Sequence, residues 1–332
     1  MSAAAKTELF GDRLDRAVRD KRSVAVVGID PTPALLPPEM AALAAAGEDG
    51  LVQALTDYCG GIIEAVCDLV PAVKPNIAFF EANGLAGLAI YKFVCLAAAG
   101  SGVLVIGDVK RGDIGSTAEA YSRGLLDCPR VDIPDLTAEE QEAGNLAARI
   151  GSLLGPHDAL TLNPYLGSDS VLPFVRRGAA RGQGFFVLVK TSNPSSAEMQ
   201  DLVLAGGGTV AERCAGLAAA WGEGYVGNSG LSAVGAVVGA THPSELARYR
   251  ALMPEAPFLV PGYGAQGGTA ADVVPAFRAD GSGAIVSASR SVLGAWKKEG
   301  GAADWRGAAR RAAERMNADL RAALENAGKW SF

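Results

Sequence analysis

The chain has 332 residues, of which 49% are hydrophobic and 20% are charged, and this balance is typical of a globular protein. Its net charge of -6 and its isoelectric point near 5.1 argue against a nucleic-acid surface, because such surfaces need clustered Lys and Arg. Aromatic residues make up 6% of the chain, so stacking platforms for bases are not expected either. Binding of a small anionic ligand is compatible with this composition, since a few local basic residues suffice to bind it.

The cysteines, histidines and N-terminus exclude several other classes of protein. The five cysteines are odd in number and form no C-x-x-C motif, which predicts reduced thiols and a cytoplasmic location. His157 and His242 lack the spacing of metal ligands, so neither a zinc site nor a Ser-His-Asp triad is expected. The N-terminal residues reach charged side chains too soon for a signal peptide, and no apolar run is long enough to span a membrane.

Short apolar runs alternate with helical patterns along the chain, after an amphipathic helix predicted over 7–20. The predicted strands lie at 23–30, 72–78, 103–110, 157–165, 184–194, 232–240, 257–261 and 283–290. Strands that are apolar throughout are typical of a parallel sheet buried on both faces, and eight strand–helix units predict a (β/α)8 TIM barrel. We expect a single domain over 1–332, with a polar insertion at 127–145 and a closing helix at 304–325. A doubly wound open sheet is the alternative.

Polar side chains follow the predicted strands, at the end of the barrel where function is expected. They are Asp30, Lys74, Asp108, Lys110, Asn163, Lys190, Ser192, Gln266 and Arg290. Several charges at one end of an apolar barrel are costly unless they pair with one another or bind a ligand. The sequence therefore predicts a polar site at this end.

The motif Asp-x-Lys-x-x-Asp, from Asp108 to Asp113, is the densest group of charges. Asp108 and Lys110 are two residues apart at a strand end, so we expect their side chains to point the same way, while Asp113 lies on the loop beyond. A solvated charged loop is the alternative interpretation. The preceding buried strand favours strong interactions, because desolvation strengthens them.

A glycine-rich stretch at 261–269 follows the seventh strand, and Arg290 follows the eighth. Many barrels bind phosphate with these two loops, where backbone N–H groups approach the anion and an arginine grips it with two hydrogen bonds. Gly262, Gly264 and Gly267 also match the dinucleotide fingerprint G-x-G-x-x-G. That alternative is weaker, because the next strand ends on Arg290 rather than on an acid.

The signature from Asp108 to Thr117 resembles that of the orotidine 5′-phosphate decarboxylases, Asp-x-Lys-x-x-Asp-Ile followed by Thr. Its Lys-Arg-Gly-Asp-Ile-Gly form is similar to the longer bacterial branch of that family. The resemblance covers most of 7–295 and extends to Asp30, Lys74, Ser192, Gln266 and Arg290, the last two matching the phosphate residues. Most members have Pro where Gly115 stands, and Gly is commoner at the position of Ser289.

The resemblance implies conversion of orotidine 5′-monophosphate to uridine 5′-monophosphate, the last step of pyrimidine nucleotide synthesis, with no metal or cofactor. Lys110 would stabilise a carbanion at C6 and protonate it. Asp108, and Asp113 of a second subunit, would crowd the substrate carboxylate and keep Lys110 charged, while Lys74 and Asp30 would bind the ribose. The family also implies a homodimer in which Asp113 and Thr117 enter the neighbouring site.

Three other functions stay open. A related Mg²⁺-dependent decarboxylase of 3-keto-gulonate 6-phosphate resembles this barrel, but it carries an acidic residue where Lys74 stands. A non-catalytic phosphate-binding barrel would have the same loops. An aldolase that forms a Schiff base through Lys110 or Lys190 is the third alternative.

Overall fold

The computed structural model describes residues 7–127, 155–241 and 243–332. Within them, eight parallel strands close into one barrel in sequence order, with β1 paired to both β2 and β8. The strands are β1 (Ala25–Ile29), β2 (Ala72–Pro75), β3 (Leu104–Arg111), β4 (Ala159–Leu162), β5 (Gly184–Lys190), β6 (Val234–Val238), β7 (Phe258–Pro261) and β8 (Ala284–Ala288). The predicted TIM barrel is confirmed, and the open-sheet alternative is wrong.

Helices follow the strands and surround the barrel. They are α1 (Phe10–Lys21), α2 (Pro38–Ala44), α3 (Glu48–Val66), α4 (Ala78–Glu81), α5 (Gly84–Gly100), α6 (Gly115–Leu126), α7 (Ser168–Gly178), α8 (Ala197–Gln200), α9 (Val210–Gly222), α10 (Pro243–Leu252), α11 (Ala270–Val273), α12 (Arg290–Leu293) and α13 (Trp305–Asn326). None of these described helices is both long enough and apolar enough to cross a membrane. The insertion predicted at 127–145 lies outside the described residues, except for Asp127.

The strands are apolar on both faces because the barrel interior buries one face and the helices bury the other. All five residues of β1 are buried, as are all five of β6 and of β8. The predicted N-terminal helix, α1, buries Phe10, Leu14 and Val18. The Phe10 ring packs edge-on against Phe186 of β5, with centroids 5.9 Å apart. A side chain at Gly184 would place its Cβ 2.1 Å from the Phe10 ring, so only glycine permits this approach.

The predicted C-terminal helix, α13, packs along α3 and β1. It buries Trp305, Met316, Leu320 and Leu324. The Trp305 ring lies 5.1 Å from that of Tyr58 on α3, centroid to centroid. These contacts fix α13 to the barrel over its whole length.

A buried arginine joins the start of β7 to the start of β8. The Arg250 guanidinium donates hydrogen bonds of 2.7–2.9 Å to the carbonyls of Met253, Ala256, Ala276 and Gly283. It also stacks 3.7 Å from the centroid of the Phe258 ring. Burial, with a smaller effect of the neighbouring Arg278 charge, lowers the pKa of Arg250 to about 9.

Replacing this arginine is expected to destabilise the fold. Arg250→Met should lower the free energy of unfolding by about 3–5 kcal/mol, because four buried carbonyls lose their donors. Arg248→Met is the matched control, since Arg248 is 62% exposed and pairs with Glu212 at the surface. Denaturant unfolding of both variants makes the comparison, and equal stability of the two would contradict the structural role of Arg250.

Candidate active site

A cavity of about 760 Å³ opens at the C-terminal end of the barrel. Seven of the predicted site residues line it: Asp30, Lys74, Asp108, Lys110, Ser192, Gln266 and Arg290. Asn163, from the end of β4, lines it as well. Asp113 and Thr117 are not among the lining residues of this chain. The barrel therefore gathers polar side chains from the ends of seven strands around one space.

Asp108 is the centre of an ion cluster that lines the cavity, in which Asp108 and Lys74 are buried and Lys110 is 48% exposed. The Lys74 Nζ lies 2.7 Å from Oδ2 of Asp108, and the Lys110 Nζ lies 2.5 Å from Oδ1. The Thr161 hydroxyl donates to Oδ1 at 2.9 Å. Burial alone would raise the pKa of Asp108, but the charges of the two lysines outweigh it and hold that pKa well below its usual range. Asp108 therefore stays ionised near neutral pH.

Lys74 and Asp30 form the side of the cluster next to β1 and β2. Burial would lower the pKa of Lys74, but the charges of Asp108 and Asp30 raise it instead, so the ammonium stays charged. The Oδ1 atom of Asp30 is buried and has no hydrogen-bond partner among the described residues, and the same holds for the Ser289 hydroxyl. Because buried polar atoms are normally paired, both are available to a ligand.

Lys110 reaches Asp108 through an irregular backbone and not through strand alternation. Its φ is 45°, in the left-handed region, and the pairing of β3 with β4 shifts register between Gly107 and Arg111. The Lys110 amide donates to the Thr161 hydroxyl at 3.0 Å, which holds this conformation. A non-glycine residue pays about 1–2 kcal/mol for such a backbone. The predicted proximity of the two side chains is correct, but the predicted reason for it is wrong.

Two of the polar lining residues that were not predicted stand close to predicted ones at the ends of the same strands. Thr161 stands two residues before Asn163 on β4, and Asn76 stands two residues after Lys74. Residues two apart on a strand face the same side, so this spacing was a usable signal for both. Thr161 is fully buried and contacts both Asp108 and Lys110, which makes it part of the cluster.

Asp113 is half-buried and Thr117 is exposed, and neither lines the cavity. One Asp113 oxygen accepts a hydrogen bond of 2.8 Å from the Ile114 amide. Thr117 is exposed in the first turn of α6, and Tyr121, on the same helix face one turn later, is 41% exposed. Ile114 is 53% exposed. This chain alone does not bring the second aspartate of the motif to its own Lys110.

The segment after β5 forms the wall of the cavity that carries Ser192. The Gln200 side chain closes it, accepting from the Thr191 amide at 2.9 Å and donating to the Thr191 hydroxyl at 2.8 Å. Lys190 is 2% exposed, does not line the cavity, and pairs with Asp201 and, at 3.7 Å, with Glu245. The prediction that Lys190 joins the other strand-end residues in the site is wrong, and it is not available for a Schiff base.

Residues 262–269, here called the β7 loop, close on themselves. The Gly264 amide donates to the Gly268 carbonyl at 2.8 Å, and the Gly268 amide donates to the Gly262 carbonyl at 3.1 Å. The φ of Gly262 is 102°, which a residue with a side chain would adopt only with strain. The dinucleotide fingerprint belongs to an open doubly wound sheet, whereas this loop is part of a closed barrel. The helix that follows it, α11, has only four residues, so the fold does not support the dinucleotide interpretation.

Gln266 and Arg290 are exposed at the rim of the cavity, one on the β7 loop and one after β8. Neither side chain has a hydrogen bond or an ion pair within the described part of the chain. An arginine without a carboxylate partner, next to a glycine-rich loop, suits an anion. Among the described residues, no three His, Cys, Asp or Glu side chains gather as metal ligands would.

Comparisons with known proteins agree on one family. The sequence model described as "Orotidine 5'-phosphate decarboxylase / HUMPS family" matches residues 26–304. The orotidine 5′-phosphate decarboxylase of Rhodopirellula baltica is 41% identical over 318 residues, covering 94% of this chain and 99% of that protein. That of Deinococcus radiodurans is 40% identical, covering 86% and 89%. The solved structure of Leishmania donovani OMP decarboxylase has a TM-score of 0.65 at 34% identity, covering 94% and 98% of the two chains.

Proposed function

This chain belongs to the orotidine 5′-phosphate decarboxylase / HUMPS family, and from that premise we propose that it decarboxylates orotidine 5′-monophosphate to uridine 5′-monophosphate without metal or cofactor. The observation that carries the proposal is the Lys110 ammonium, held 2.5 Å from Asp108 in the cavity. A positive charge held in place beside the reacting carbon is what a developing carbanion requires.

Lys110 is the catalytic acid in this proposal. The bond from C6 to the carboxylate breaks, CO₂ leaves, and the electron pair stays on C6, where no ring position delocalises it. The Lys110 ammonium stabilises this charge and gives C6 its proton, and solvent then reprotonates the amine. Asp108 holds the Lys110 ammonium in position through their ion pair, and it places a negative charge beside the substrate carboxylate.

Asp30 and Lys74 bind the ribose hydroxyls. The unpartnered Oδ1 atom of Asp30 supports this role, since it accepts a hydrogen bond that a hydroxyl donates. Lys74 is buried and charged next to it. Ser192, on the wall formed after β5, contacts the pyrimidine. Gln266 and Arg290 bind the phosphate, which is remote from C6, so its binding energy serves to position the reacting ring.

Arg290→Ala should lower kcat/KM for orotidine 5′-monophosphate by roughly 100-fold, because a charge-assisted contact to the phosphate is lost. It should leave kcat/KM for orotidine, which lacks the phosphate, nearly unchanged. Gln266→Ala should show the same selectivity with a smaller loss, since it removes a neutral donor. Initial rates with both substrates measure this, and an equal loss for the two would show that Arg290 does not bind phosphate.

The active site is shared across a two-fold homodimer. Asp113 and Thr117 are displaced from their own cavity, and the apolar side chains of Ile114 and Tyr121 are exposed beside them. In an isologous dimer the same surface of each subunit meets its copy, so each chain contributes its Asp113 and Thr117 to the other chain's site.

The unpaired state of the four described cysteines supports a reducing, cytoplasmic setting.

Two substrates separate this function from its closest alternative. Purified protein should form uridine 5′-monophosphate and CO₂ in equal amounts from orotidine 5′-monophosphate, as followed by chromatography. It should not consume 3-keto-gulonate 6-phosphate, with or without Mg²⁺, because Lys74 stands where that enzyme has an acid. Turnover of the sugar phosphate alone would identify the protein as the Mg²⁺-dependent decarboxylase instead. A lack of activity toward both substrates would favour a non-catalytic phosphate-binding barrel.

A further inference from the structure

A hydrogen bond links the β7 loop to the C-terminal helix, outside the cavity. The Tyr263 hydroxyl donates to Oδ2 of Asp319 at 2.6 Å, across 56 residues of sequence. Asp319 lies on α13 beyond residue 304, where the match to the family model ends. It is exposed and does not line the active-site cavity, whereas Tyr263 does.

Hydrogen bonds within the β7 loop make it a single structural unit. Its internal hydrogen bonds join Gly264 to Gly268 at 2.8 Å and Gly267 to Gly264 at 2.9 Å. At its end, Thr269 and Asp272 form a reciprocal capping box at the start of α11. Gln266 sits within this closed unit, so the position of the whole loop determines where the Gln266 side chain lies.

The loop faces α13 across an open groove, while α11, which follows the loop, packs against α13. A groove of about 790 Å³ separates the outer side of the loop from the helix, with Tyr263, Gly264, Asp319 and Ala323 among its lining residues. In the described ranges, the Tyr263–Asp319 contact is the one hydrogen bond that crosses from residues 262–269 to α13. The helix is a firm anchor, because Met316 and Leu320 on either side of Asp319 are buried.

We propose that Asp319 is a positioning residue, which holds the β7 loop through the Tyr263 hydroxyl in the geometry that receives the substrate phosphate. The inference rests on the proposed function, since it takes the loop to be the phosphate site. Without this tether the loop samples other positions, and the substrate must order it on binding. That ordering cost lowers affinity for the phosphate-bearing substrate alone.

The test compares orotidine 5′-monophosphate with orotidine in four variants and one control. Asp319→Ala and Tyr263→Phe should each lower kcat/KM for the nucleotide by roughly tenfold, mainly through KM, as loss of a hydrogen bond to a charged group predicts. Their double variant should lose no more than either one, because both remove a single interaction. Asp319→Asn should restore most of the loss, since its amide oxygen still accepts from the hydroxyl. Glu325→Ala, on the same helix, is the control and should match the wild type.

Orotidine separates the outcomes. Asp319→Ala should turn over orotidine as the wild type does, and its Kd for uridine 5′-monophosphate, measured by calorimetry, should rise about as much as KM. If Asp319→Ala keeps the full wild-type ratio of kcat/KM for the nucleotide to kcat/KM for orotidine, the positioning role of Asp319 is refuted and the proposed function stays intact. Equal losses for both substrates would reduce Asp319 to a structural role. A wild type that does not distinguish the two substrates would refute the phosphate site itself.

Discussion

Lys110→Ala is expected to lower kcat for orotidine 5′-monophosphate by about four orders of magnitude or more, while uridine 5′-monophosphate still binds. The lysine supplies both the charge that stabilises the carbanion and the proton that C6 receives, so its removal affects the transition state far more than the ground state. Single-turnover assays and calorimetry on the same preparation give the two numbers. Removing Lys110 also frees Asp108 on one side, but Lys74 still neutralises it at 2.7 Å.

The control for this variant is Lys298→Ala, because Lys298 is exposed and remote from the cavity. It should retain wild-type kcat and KM. A parallel loss of nucleotide binding and activity in Lys110→Ala would mean that Lys110 holds the ligand or the fold and not the transition state. Retained activity would refute its catalytic role outright.

Mixing two inactive variants should restore activity if the sites are shared. Lys110→Ala and Asp113→Ala chains, dissociated and reassociated together, form heterodimers in which one site carries both lesions and the other carries neither. Random exchange at equal amounts makes about half of the dimers mixed, so roughly a quarter of all sites should be wild type. The recovered activity, measured after exchange is verified by native mass spectrometry, should approach that fraction.

The same mixture made without dissociation is the control and should stay inactive. A second control mixes Lys110→Ala with Asp108→Ala, whose lesions fall in the same subunit's cavity and cannot complement. If verified exchange restores nothing in the first mixture, Lys110 and Asp113 serve the same chain's site and the shared-site proposal is wrong.

The barrel was predictable because its strands are buried on both faces. The run predicted at 23–30 contains β1, Ala25–Ile29, and the run at 257–261 contains β7, Phe258–Pro261. Parallel strands of a closed barrel present all their carboxyl ends on one side, so the polar residues after several strands fell into one cavity without further information. The strand boundaries differ by up to four residues, since a sequence pattern does not mark the last ladder hydrogen bond.

The site was less predictable where it depends on irregular backbone or distant contacts. Strand periodicity contains no signal for the left-handed conformation of Lys110, which tertiary contact with Thr161 maintains. Lys190 follows its strand as the other site residues do, but its pairing with Asp201 turns it away from the cavity. The Tyr263–Asp319 contact joins a loop and a helix that are 56 residues apart in the sequence, so local sequence patterns do not predict it.

Metal-free decarboxylation is tested most directly by the ultraviolet absorbance change when orotidine 5′-monophosphate is added to protein dialysed against EDTA. Decarboxylation removes the carboxylate conjugated to the pyrimidine, so the spectrum of the substrate should convert to that of uridine 5′-monophosphate. The rate should be the same with EDTA, without EDTA and with added Mg²⁺, because Lys110 and the charges around it need no metal. A spectrum that stays unchanged, or that changes only after Mg²⁺ is restored, would contradict metal-free decarboxylation.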